Sequence, residues 1–503
     1  MAQRHTRVLP ITSINPPHVD SETSPLDWWN ANKDRLPQDQ VNHLLEAAHA
    51  LQTSSIPVAF PTETVYGLGA DATRSDAVRG IYAAKQRPSD NPLIVHVGSL
   101  DQLRALLRPP EQNGSLDRHA NGTAKEPDSH NDPIPSIYIP LIQRFWPGPL
   151  TLLFPLPFPS PFASEVHPSL TTFGIRMPSS PSARLLISLS GRPLAAPSAN
   201  ASTRPSPTSA AHVLHDLEGR IEVILDGGRC EVGVESTVVD GMGAVPAILR
   251  PGGVGIEEIR RVGGLWENTV VGYRDVHQGP VHGAMNADGD EDSIGNDHGS
   301  GNEPKNQTDT EATVQMNGDV FRGPRAPGMK YRHYAPRARV HLFEPHGKQS
   351  SSSSEEEARA KVISYRNDAR LSPARHATGG FKIGVIATQT WRAGLGFAPS
   401  SSAAAALETP SHLTNGALGS HDQPPSNPEV LSFDIPEMDR PHRIYSVSLG
   451  PDVEDVARGL FSTLRALDGK GCDVILIEGI GDTGGGRDLA AAVMDRLRKA
   501  ADG

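Results

Sequence analysis

The chain has little cysteine, few aromatic residues and no excess of positive charge. Its 503 residues include two cysteines, Cys230 and Cys472, which lie far apart and outside any CxxC pair. Two such thiols exclude a structural zinc site and fit a reducing compartment. The formal net charge of -11 opposes non-specific binding to nucleic-acid phosphates or anionic membranes, because positive charge drives that binding. Any basic site must therefore be local.

A long apolar run is also missing near the N-terminus, which reads MAQRHTRVLPITSINPPHVDSE. This segment is too polar for a signal peptide or a membrane span. We therefore expect a cytoplasmic protein, and the sequence leaves a mitochondrial pool open. The chain is also too long for one hydrophobic core, which indicates two domains.

Strand and helix patterns alternate along the first part of the chain. Helical spacing over residues 38–51 precedes an apolar run at 56–60, and a second helical pattern at 77–84 precedes a run at 93–97. Such alternation predicts an α/β sheet. Further strand patterns cover residues 172–177, 193–196, 221–225, 234–240 and 247–250, and further helix patterns cover 181–190 and 208–218.

Changes in composition divide the chain into four parts. We predict an N-terminal extension at 1–37, a first α/β domain at 38–264 with a polar insertion at 108–135, a linker at 265–336, and a smaller second domain at 337–503. The linker has no apolar periodicity up to about residue 323, so we expect disorder there. Two low-complexity stretches of the second domain, 350–357 and 399–427, are interpreted as loops.

The second domain again shows strand patterns followed by helices. Its strands are expected at 340–343, 383–388, 444–449 and 474–477, and its helices at 453–467 and 487–500. Residues 479–484, GIGDTG, match the G-x-G-x-x-G pattern of dinucleotide sites. No strand follows to present the ribose-binding acid, so we interpret this pattern as a glycine-rich loop.

Two motifs early in the first domain combine glycines, hydroxyls and cations. PTETVYGLG, residues 61–69, follows a strand, and its glycines permit close approach of a ligand to the backbone. KQRPSDNPLIVH places Lys85 and Arg87 before a proline and a strand that ends at His96. Adjacent cations suit a polyphosphate, but alone they are more often solvated helix-end charges, and a lone His96 is more often a core residue.

Further motifs place small, hydroxyl and arginine side chains at strand ends. Open α/β sheets bind their ligands at such ends. In chain order these motifs are FWPGPLT at 145–151, TTFGIRMP at 171–178, PLAAPSANASTRPSPT at 193–208, ILDGGRCEVGVESTVVD at 224–240, ILRPGG at 248–253 and RAPGMKYRHYAP at 325–336.

Taken together and in this order, the motifs closely resemble the YrdC-type threonylcarbamoyl-AMP synthases in their two-domain form. The resemblance covers residues 58–253 and 327–336. It implies a twisted open-sheet YrdC-like catalytic domain joined by a long linker to a smaller Rossmann-like α/β domain, with the linker ordered over the active site after about residue 323. It also implies a nucleotidyltransferase, L-threonylcarbamoyladenylate synthase, which makes threonylcarbamoyl-AMP and pyrophosphate from L-threonine, bicarbonate and ATP. The product would serve modification of adenosine 37 in tRNAs that read codons starting with adenine.

The resemblance also implies roles for individual residues. Threonine would be bound by Thr64, His96, Arg176, Ala196 and Ser236. ATP would be bound by Arg87, Asn91, Thr172, Ser198, Ser206, Arg250 and Tyr334, with Lys85 and Arg87 as catalytic residues at the phosphates. Arg176 would pair with the carboxylate of threonine, which its planar guanidinium suits. Without the family pattern, Thr172, Ser198 and Asn91 could equally serve local turns, and Tyr334 could anchor the linker.

The implied chemistry needs placement and charge neutralisation rather than a protein nucleophile. Mg²⁺ would arrive with ATP, and we predict no metal site made by the protein alone, since no carboxylates are spaced for one. The expected partner is a downstream tRNA threonylcarbamoyl transferase complex, with contact to tRNA or double-stranded RNA left open.

Two alternatives to the synthase stay open at this point. One is a module that binds double-stranded RNA or tRNA, which the negative charge and scarce aromatic residues disfavour. The other is a carbamoyl-adenylate-forming transferase of the kind found in hydrogenase maturation proteins. Those proteins carry zinc fingers, which two cysteines cannot build.

Overall fold

The structure is a computed structural model that describes most of both domains. Described are residues 4–18, 20–22, 24–108, 132–273, 314–316, 319–321, 334–345, 353–365, 381–398, 428–435, 443–481 and 488–501. Most of the predicted insertion at 108–135, most of the predicted disordered linker, the predicted loop at 399–427 and the end of the GIGDTG pattern lie outside these residues.

Within the described residues, the first domain contains one eleven-stranded sheet with helices around it. Its strands are β1 (Arg7–Pro10), β2 (Val58–Phe60), β3 (Gly67–Asp71), β4 (Ile94–His96), β5 (Leu150–Pro155), β6 (Thr172–Arg176), β7 (Leu194–Ala195), β8 (Val223–Asp226), β9 (Thr237–Asp240), β10 (Ala247–Arg250) and β11 (Val270–Val271). The order across the sheet is β1-β8-β2-β3-β7-β4-β6-β5-β9-β10-β11, with mixed parallel and antiparallel pairs. Its helices are α1 (Leu26–Asn32), α2 (Gln38–Thr53), α3 (Ser75–Lys85), α4 (Leu100–Leu107), α5 (Ile139–Phe145), α6 (Pro181–Ser190), α7 (Ala210–Leu217) and α8 (Ile256–Arg260).

Residues before Gln38, predicted to be an extension, take part in this domain. β1 pairs in parallel with β8, with Arg7 opposite Val223. Trp29 of α1 is buried and packs with the helices on this face of the sheet. The sequence signal was weak because a four-residue strand and a seven-residue helix are too short to show a period.

The chain reverses sharply after α3, and this reversal positions two cations. Gln86 adopts the left-handed conformation with φ 52° and ends the helix at Lys85. Pro88 follows two residues later and cannot continue a helix. Lys85 and Arg87 therefore lie on either side of a turn, beside the strand that ends at His96.

The second domain is a smaller α/β layer. After the hairpin β12 (Val314–Met316) and β13 (Asp319–Phe321), its strands are β14 (Arg339–Phe343), β15 (Lys382–Ala387), β16 (Leu431–Asp434), β17 (Arg443–Ser448) and β18 (Val474–Glu478). They form a sheet in the order β14-β18-β15-β17-β16, parallel except for the edge strand β16. The helices are α9 (Ser354–Ser364), α10 (Val453–Gly469) and α11 (Asp488–Ala501). No helix in the described ranges is long and apolar enough to cross a membrane.

The serine-acidic run at 350–357 is where the loop prediction was wrong. Helix α9 begins at Ser354. Ser353 Oγ accepts the Glu356 backbone N–H at 3.2 Å, and Glu356 Oε2 accepts the Ser353 backbone N–H at 3.1 Å. This reciprocal pair is a capping box, which satisfies two backbone donors at a helix start. The S-x-x-E spacing indicates this helix start, but the low-complexity composition of the run favoured a loop.

Helices α10 and α11 of the second domain contact the first domain. A Cβ added to Gly233, whose φ is +80°, would lie 2.5 Å from the carbonyl oxygen of Ala457. Val234 is buried in the same apolar cluster as Phe461. The backbone of the first domain thus touches α10 directly, close to the residues at 235–236.

Candidate active site

A cavity of about 240 Å³ opens where several strands of the first sheet end. Strands β4 and β6 supply His96 and Arg176, the end of α3 supplies Lys85, and loops at 198–206 and 235–236 form other walls. Twelve of the thirteen residues predicted to bind substrates line this cavity. They are Thr64, Lys85, Arg87, Asn91, His96, Arg176, Ala196, Ser198, Ser206, Ser236, Arg250 and Tyr334.

Arg176 is a buried charge at the last position of β6, 5% exposed. Its Nη2 donates to Glu63 Oε1 at 2.5 Å, its Nη1 to Thr64 Oγ1 at 2.9 Å, and its Nε to the Gly148 carbonyl at 3.3 Å. A buried guanidinium is stable only when its charge and its donors are compensated in this way. These contacts fix its direction at the cavity wall.

Glu63, the partner of Arg176, was not predicted from the sequence. Its Oε2 is buried and has no hydrogen-bond partner among the described residues. The sequence does contain a signal for Glu63, because it is the charged residue of a motif whose other residues are uncharged. A buried acid is rare unless it is paired, so such a carboxylate indicates a buried partner.

His96 faces the cavity as a neutral imidazole. Burial, followed by the positive charge of Arg176, lowers the pKa of His96 to about 3. Its Nδ1 lies 3.3 Å from the carbonyl oxygen of Ile94, and its ring stands edge-on to Phe60 with 6.4 Å between centroids. The side chain therefore presents a ring without charge at neutral pH.

Ser236 and Ala196 line the same cavity as Arg176. Ser236 Oγ is 2.8 Å from Thr151 Oγ1, and Arg250 Nη2 donates to Ser236 Oγ at 3.1 Å. Arg250 also donates to the Ser236 carbonyl, at 3.1 Å from Nε and 2.9 Å from Nη2. Ala196 is buried and adds only a methyl group to the wall, which leaves space beside the arginine.

Lys85 is buried, and its ammonium bonds to the loop that carries Ser198. Its Nζ donates to the Ser198 carbonyl at 2.5 Å, to the Asn200 carbonyl at 2.7 Å and to Asn200 Oδ1 at 3.4 Å. Burial, followed by the charge of Arg87, lowers its pKa well below the usual value. Asn200, also a cavity residue, was not predicted.

Arg87 and Asn91 form the wall next to Lys85. Arg87 donates from Nε to the Asn91 carbonyl at 3.4 Å and from Nη2 to the Pro92 carbonyl at 3.2 Å. The Tyr82 hydroxyl donates to the same Asn91 carbonyl at 3.0 Å. Burial lowers the pKa of Arg87 to about 10, so the guanidinium keeps its charge at neutral pH.

Ser206 contacts a buried carboxylate that the sequence analysis did not single out. Ser206 Oγ donates to Glu235 Oε1 at 2.5 Å, and Arg496 Nε of α11 donates to Glu235 Oε2 at 3.1 Å. Glu235 also lines the cavity. Arg496 lay inside a predicted helix, and nothing in a single helical pattern distinguishes a residue that reaches another domain.

Tyr334 covers one side of the cavity although it belongs to the segment between the domains. Its ring is buried and stacks on Phe461 of α10, with 5.3 Å between centroids. The next residue, Ala335, donates its backbone N–H to the Thr203 carbonyl at 2.9 Å. The segment is thus attached to both domains at the cavity.

Thr172 is the predicted residue that the cavity does not include. It is the first residue of β6, opposite Pro155 of β5, whereas Arg176 at the other end of β6 lines the cavity. Three residues lie between them, and four strand steps of about 3.3 Å place the two about 13 Å apart. Thr172 was selected from its motif, and strand direction places it at the far end.

The described residues contain no cluster of three or more histidine, cysteine, aspartate or glutamate side chains arranged to hold a metal ion. Of the carboxylates, Glu235 lines the cavity, and its two oxygens accept from Ser206 and Arg496. Cationic residues among those that line the cavity are Lys85, Arg87, Arg176, Arg204 and Arg250.

Comparison with known proteins gives matches over both domains. The model of a family described as telomere recombination, which covers Sua5, YciO and YrdC, matches residues 51–252. The model of the threonylcarbamoyl-AMP synthase C-terminal domain matches residues 306–502. The threonylcarbamoyl-AMP synthase of Schizosaccharomyces pombe is 39% identical over 471 residues, which cover 93% of this chain and 90% of the relative.

This chain belongs to the threonylcarbamoyl-AMP synthase family. The family member of Bacillus subtilis is 34% identical over 92% of this chain and 93% of its own length. The crystal structure of Pyrococcus abyssi Sua5 complexed with L-threonine is similar with a TM-score of 0.56 and 35% identity, covering 91% of this chain and 94% of that one. These matches confirm the predicted family, the two-domain α/β fold and an ATP-using enzyme of the transferase class.

Proposed function

We propose that the cavity is the active site in which L-threonine, bicarbonate and ATP are converted to threonylcarbamoyl-AMP and pyrophosphate. The observation that carries this proposal is that one cavity gathers twelve of the thirteen residues that the family resemblance assigns to threonine and ATP. We call the residues assigned to threonine the threonine half and those assigned to ATP the nucleotide half. The threonine half comprises Thr64, His96, Arg176, Ala196 and Ser236. The nucleotide half comprises Lys85, Arg87, Asn91, Ser198, Ser206, Arg250 and Tyr334.

The threonine half offers one fixed cation among uncharged groups. Arg176 can pair with the α-carboxylate of threonine, because its planar guanidinium donates two parallel hydrogen bonds. Glu63 already accepts from Nη2, so the substrate would share the guanidinium with an internal carboxylate. The neutral ring of His96 adds no second charge beside the substrate's amine, which must lose its proton before it reacts.

The nucleotide half has the opposite character, with several cations for one polyphosphate. Arg250 is a buried guanidinium, Arg87 is a half-buried one, and Lys85 lies behind Ser198. Cations placed in advance at low dielectric stabilise the charge that spreads over phosphate oxygens during transfer. The ring of Tyr334 gives this half an apolar surface beside the phosphate site.

The reaction follows from holding the two substrates next to each other. The amine of threonine bonds to the carbon of bicarbonate with loss of water, giving an N-carboxylate. An oxygen of this carboxylate then bonds to the α-phosphorus of ATP while the bond from that phosphorus to the bridging oxygen breaks, and pyrophosphate leaves with the electron pair. The protein supplies in-line placement and charge neutralisation, which suffice for such transfers.

Mg²⁺ would enter on the triphosphate of ATP, where it supplies further charge neutralisation. An all-protein magnesium site needs several oxygen ligands, and Glu235 already has both oxygens engaged by Ser206 and Arg496. The residues of this cavity therefore fit a nucleotide that carries its own metal ion.

The chemistry of the product supports a proposal about the next step. Threonylcarbamoyl-AMP is a reactive mixed anhydride, so a transferase that accepts it must act downstream, and we propose that this is the tRNA threonylcarbamoyl transferase complex. Direct contact of this chain with tRNA or double-stranded RNA, and its cytoplasmic location with or without a mitochondrial pool, stay predictions. Family membership favours the synthase over the RNA-binding and carbamoyl-transfer alternatives.

The proposed reaction is tested by omission. Purified protein is incubated with ATP, magnesium, bicarbonate and threonine, each left out in turn, and pyrophosphate and the new adenylate are followed by mass spectrometry. We expect both products only when threonine and bicarbonate are present together. ATP turnover that is indifferent to threonine would reject the proposal in favour of one of the alternatives.

A further inference from the structure

Arg496 is a buried cation of the second domain that contacts two residues of the cavity wall, Glu235 and Tyr334, and Pro251 beside a third. Its side chain is completely buried although it lies on α11, outside the domain that carries the cavity. Its Nε donates to Glu235 Oε2 at 3.1 Å, and its Nη1 donates to the Pro251 carbonyl at 2.5 Å. Its guanidinium carbon lies 5.7 Å from the ring centroid of Tyr334.

Each of these contacts continues to a residue of the nucleotide half. Glu235 accepts from Ser206 Oγ through its other oxygen. Pro251 directly follows Arg250 in the chain. Tyr334 itself lines the cavity. One side chain thus connects to three predicted ATP contacts while standing outside the cavity lining.

We propose that Arg496 is a positioning residue for the nucleotide, acting through Glu235, Pro251 and Tyr334. The inference rests on the proposed function and assigns the second domain a part in ATP binding. In the threonine half, by contrast, the contacts of Arg176 all lie in the first domain. The network around Arg496 reaches the threonine half only at Ser236, which follows Glu235 in the chain and accepts from Arg250. We therefore expect Arg496 to affect ATP more than threonine, whose carboxylate would pair with Arg176.

Charge explains why the arginine is needed at this place. Glu235 is a buried carboxylate beside a site for a polyphosphate. Burial alone would raise the pKa of Glu235, but Arg496 and then Arg250 outweigh it and lower the pKa, so the group is ionised. Without Arg496 this charge would lose a partner at short range and would repel the phosphates. Removing the charge of Glu235 as well should relieve that repulsion.

The test compares Arg496→Met with Arg498→Met in the full chain. Arg498 lies on the same helix but pairs with Glu344 of the second domain, which makes it a matched control. We expect Arg496→Met to raise the KM for ATP by about tenfold or more while the KM for threonine changes less than about threefold, as loss of a ground-state nucleotide contact predicts. Arg498→Met should leave both constants near the wild-type values.

A second pair of variants separates positioning from folding. Adding Glu235→Gln to Arg496→Met should bring the KM for ATP back toward that of Glu235→Gln alone, because the repelling charge is gone. Arg496→Lys should raise the KM for ATP less than Arg496→Met does. Two results would overturn the proposal. One is an equal rise in the KM for ATP and the KM for threonine, together with a fall in melting temperature. The other is an unchanged KM for ATP. An unsubstituted protein that makes no threonine-dependent adenylate would instead reject the proposed function.

Discussion

The two halves of the cavity differ in how many parts of the chain build them. In the threonine half, Arg176 is held by Glu63, Thr64 and Gly148, all within the first domain. The nucleotide half adds Tyr334 from the segment between the domains, and Arg496 from the second domain supports it. The proposed carboxylate contact of threonine is thus built within one domain, whereas the proposed ATP site also depends on how the two domains dock.

A second interdomain contact strengthens this difference. Arg465 of α10 donates to both oxygens of Asp216, from Nη1 to Oδ1 at 3.1 Å and from Nη2 to Oδ2 at 2.8 Å. Its Nη2 also donates to the Pro205 carbonyl, next to Ser206. The loop that carries Ser198 and Ser206 is therefore fixed partly from the second domain.

The largest effect is expected in the threonine half. Arg176→Met should lower kcat/KM for threonine by about 100-fold, because it removes a charge-assisted bidentate contact. ATP binding, measured by equilibrium dialysis, should change little. Arg192→Met, an exposed arginine of the same domain that pairs with Asp71, serves as the control. A comparable loss of ATP binding in Arg176→Met would remove the distinction between the halves.

Lys85 tests the nucleotide half from within the first domain. Lys85→Met should lower turnover by more than about tenfold, since it removes a cation near the phosphates and releases the Ser198 loop. Steady-state release of pyrophosphate measures this. Arg79→Met, on the exposed side of the same helix where it pairs with Glu165, should retain normal rates. Near-normal turnover in Lys85→Met would reject the assignment.

Tyr334 tests the part of the nucleotide half that lies between the domains. Tyr334→Ala should raise the KM for ATP by about fivefold, because it removes the ring that stacks on Phe461 and covers the cavity. Tyr334→Phe keeps the ring and should raise the KM for ATP less than Tyr334→Ala does. An unchanged KM for ATP in Tyr334→Ala would show that this segment is a linker anchor and no part of the ATP site.

The smallest effect concerns stability below neutral pH. Burial lowers the pKa of His96 to about 3, whereas an unfolded histidine titrates near pH 6.5. The resulting stability is complete above pH 6.5 and is lost as the pH falls from there toward 3. Melting temperature between pH 8 and pH 5 should therefore fall less steeply in His96→Gln than in the unsubstituted protein. The exposed His49→Gln should follow the unsubstituted curve, and three identical curves would contradict the assignment.

Much of the fold and most of the cavity could be predicted from local sequence patterns. Strand ends are marked by short apolar runs, so the motifs at His96 and Arg176 could be assigned to one sheet edge. Thr172 lies outside the cavity lining, and its motif alone does not show which end of a strand faces the ligand. The capping box at Ser353 was concealed by composition.

The residues that could not be predicted are partners of predicted ones. Glu63, Glu235 and Arg496 can be recognised as part of the site only because each forms a buried ion pair with a residue distant in the chain. Such pairs follow from tertiary packing, and a single sequence shows neither which charges are buried nor which neighbours compensate them. Short elements such as β1 were not predicted for another reason, since four residues do not reveal a period.

The pairing of β1 with β8 has a consequence for how the first domain folds. Arg7 lies opposite Val223, so this pairing closes a chain loop of roughly 200 residues, at a high cost in loop entropy. The contact order of the sheet edge is correspondingly high, and such contacts form late. On the ribosome, β1 must wait until β8 has been synthesised, so the N-terminal strand is made first and becomes ordered among the last.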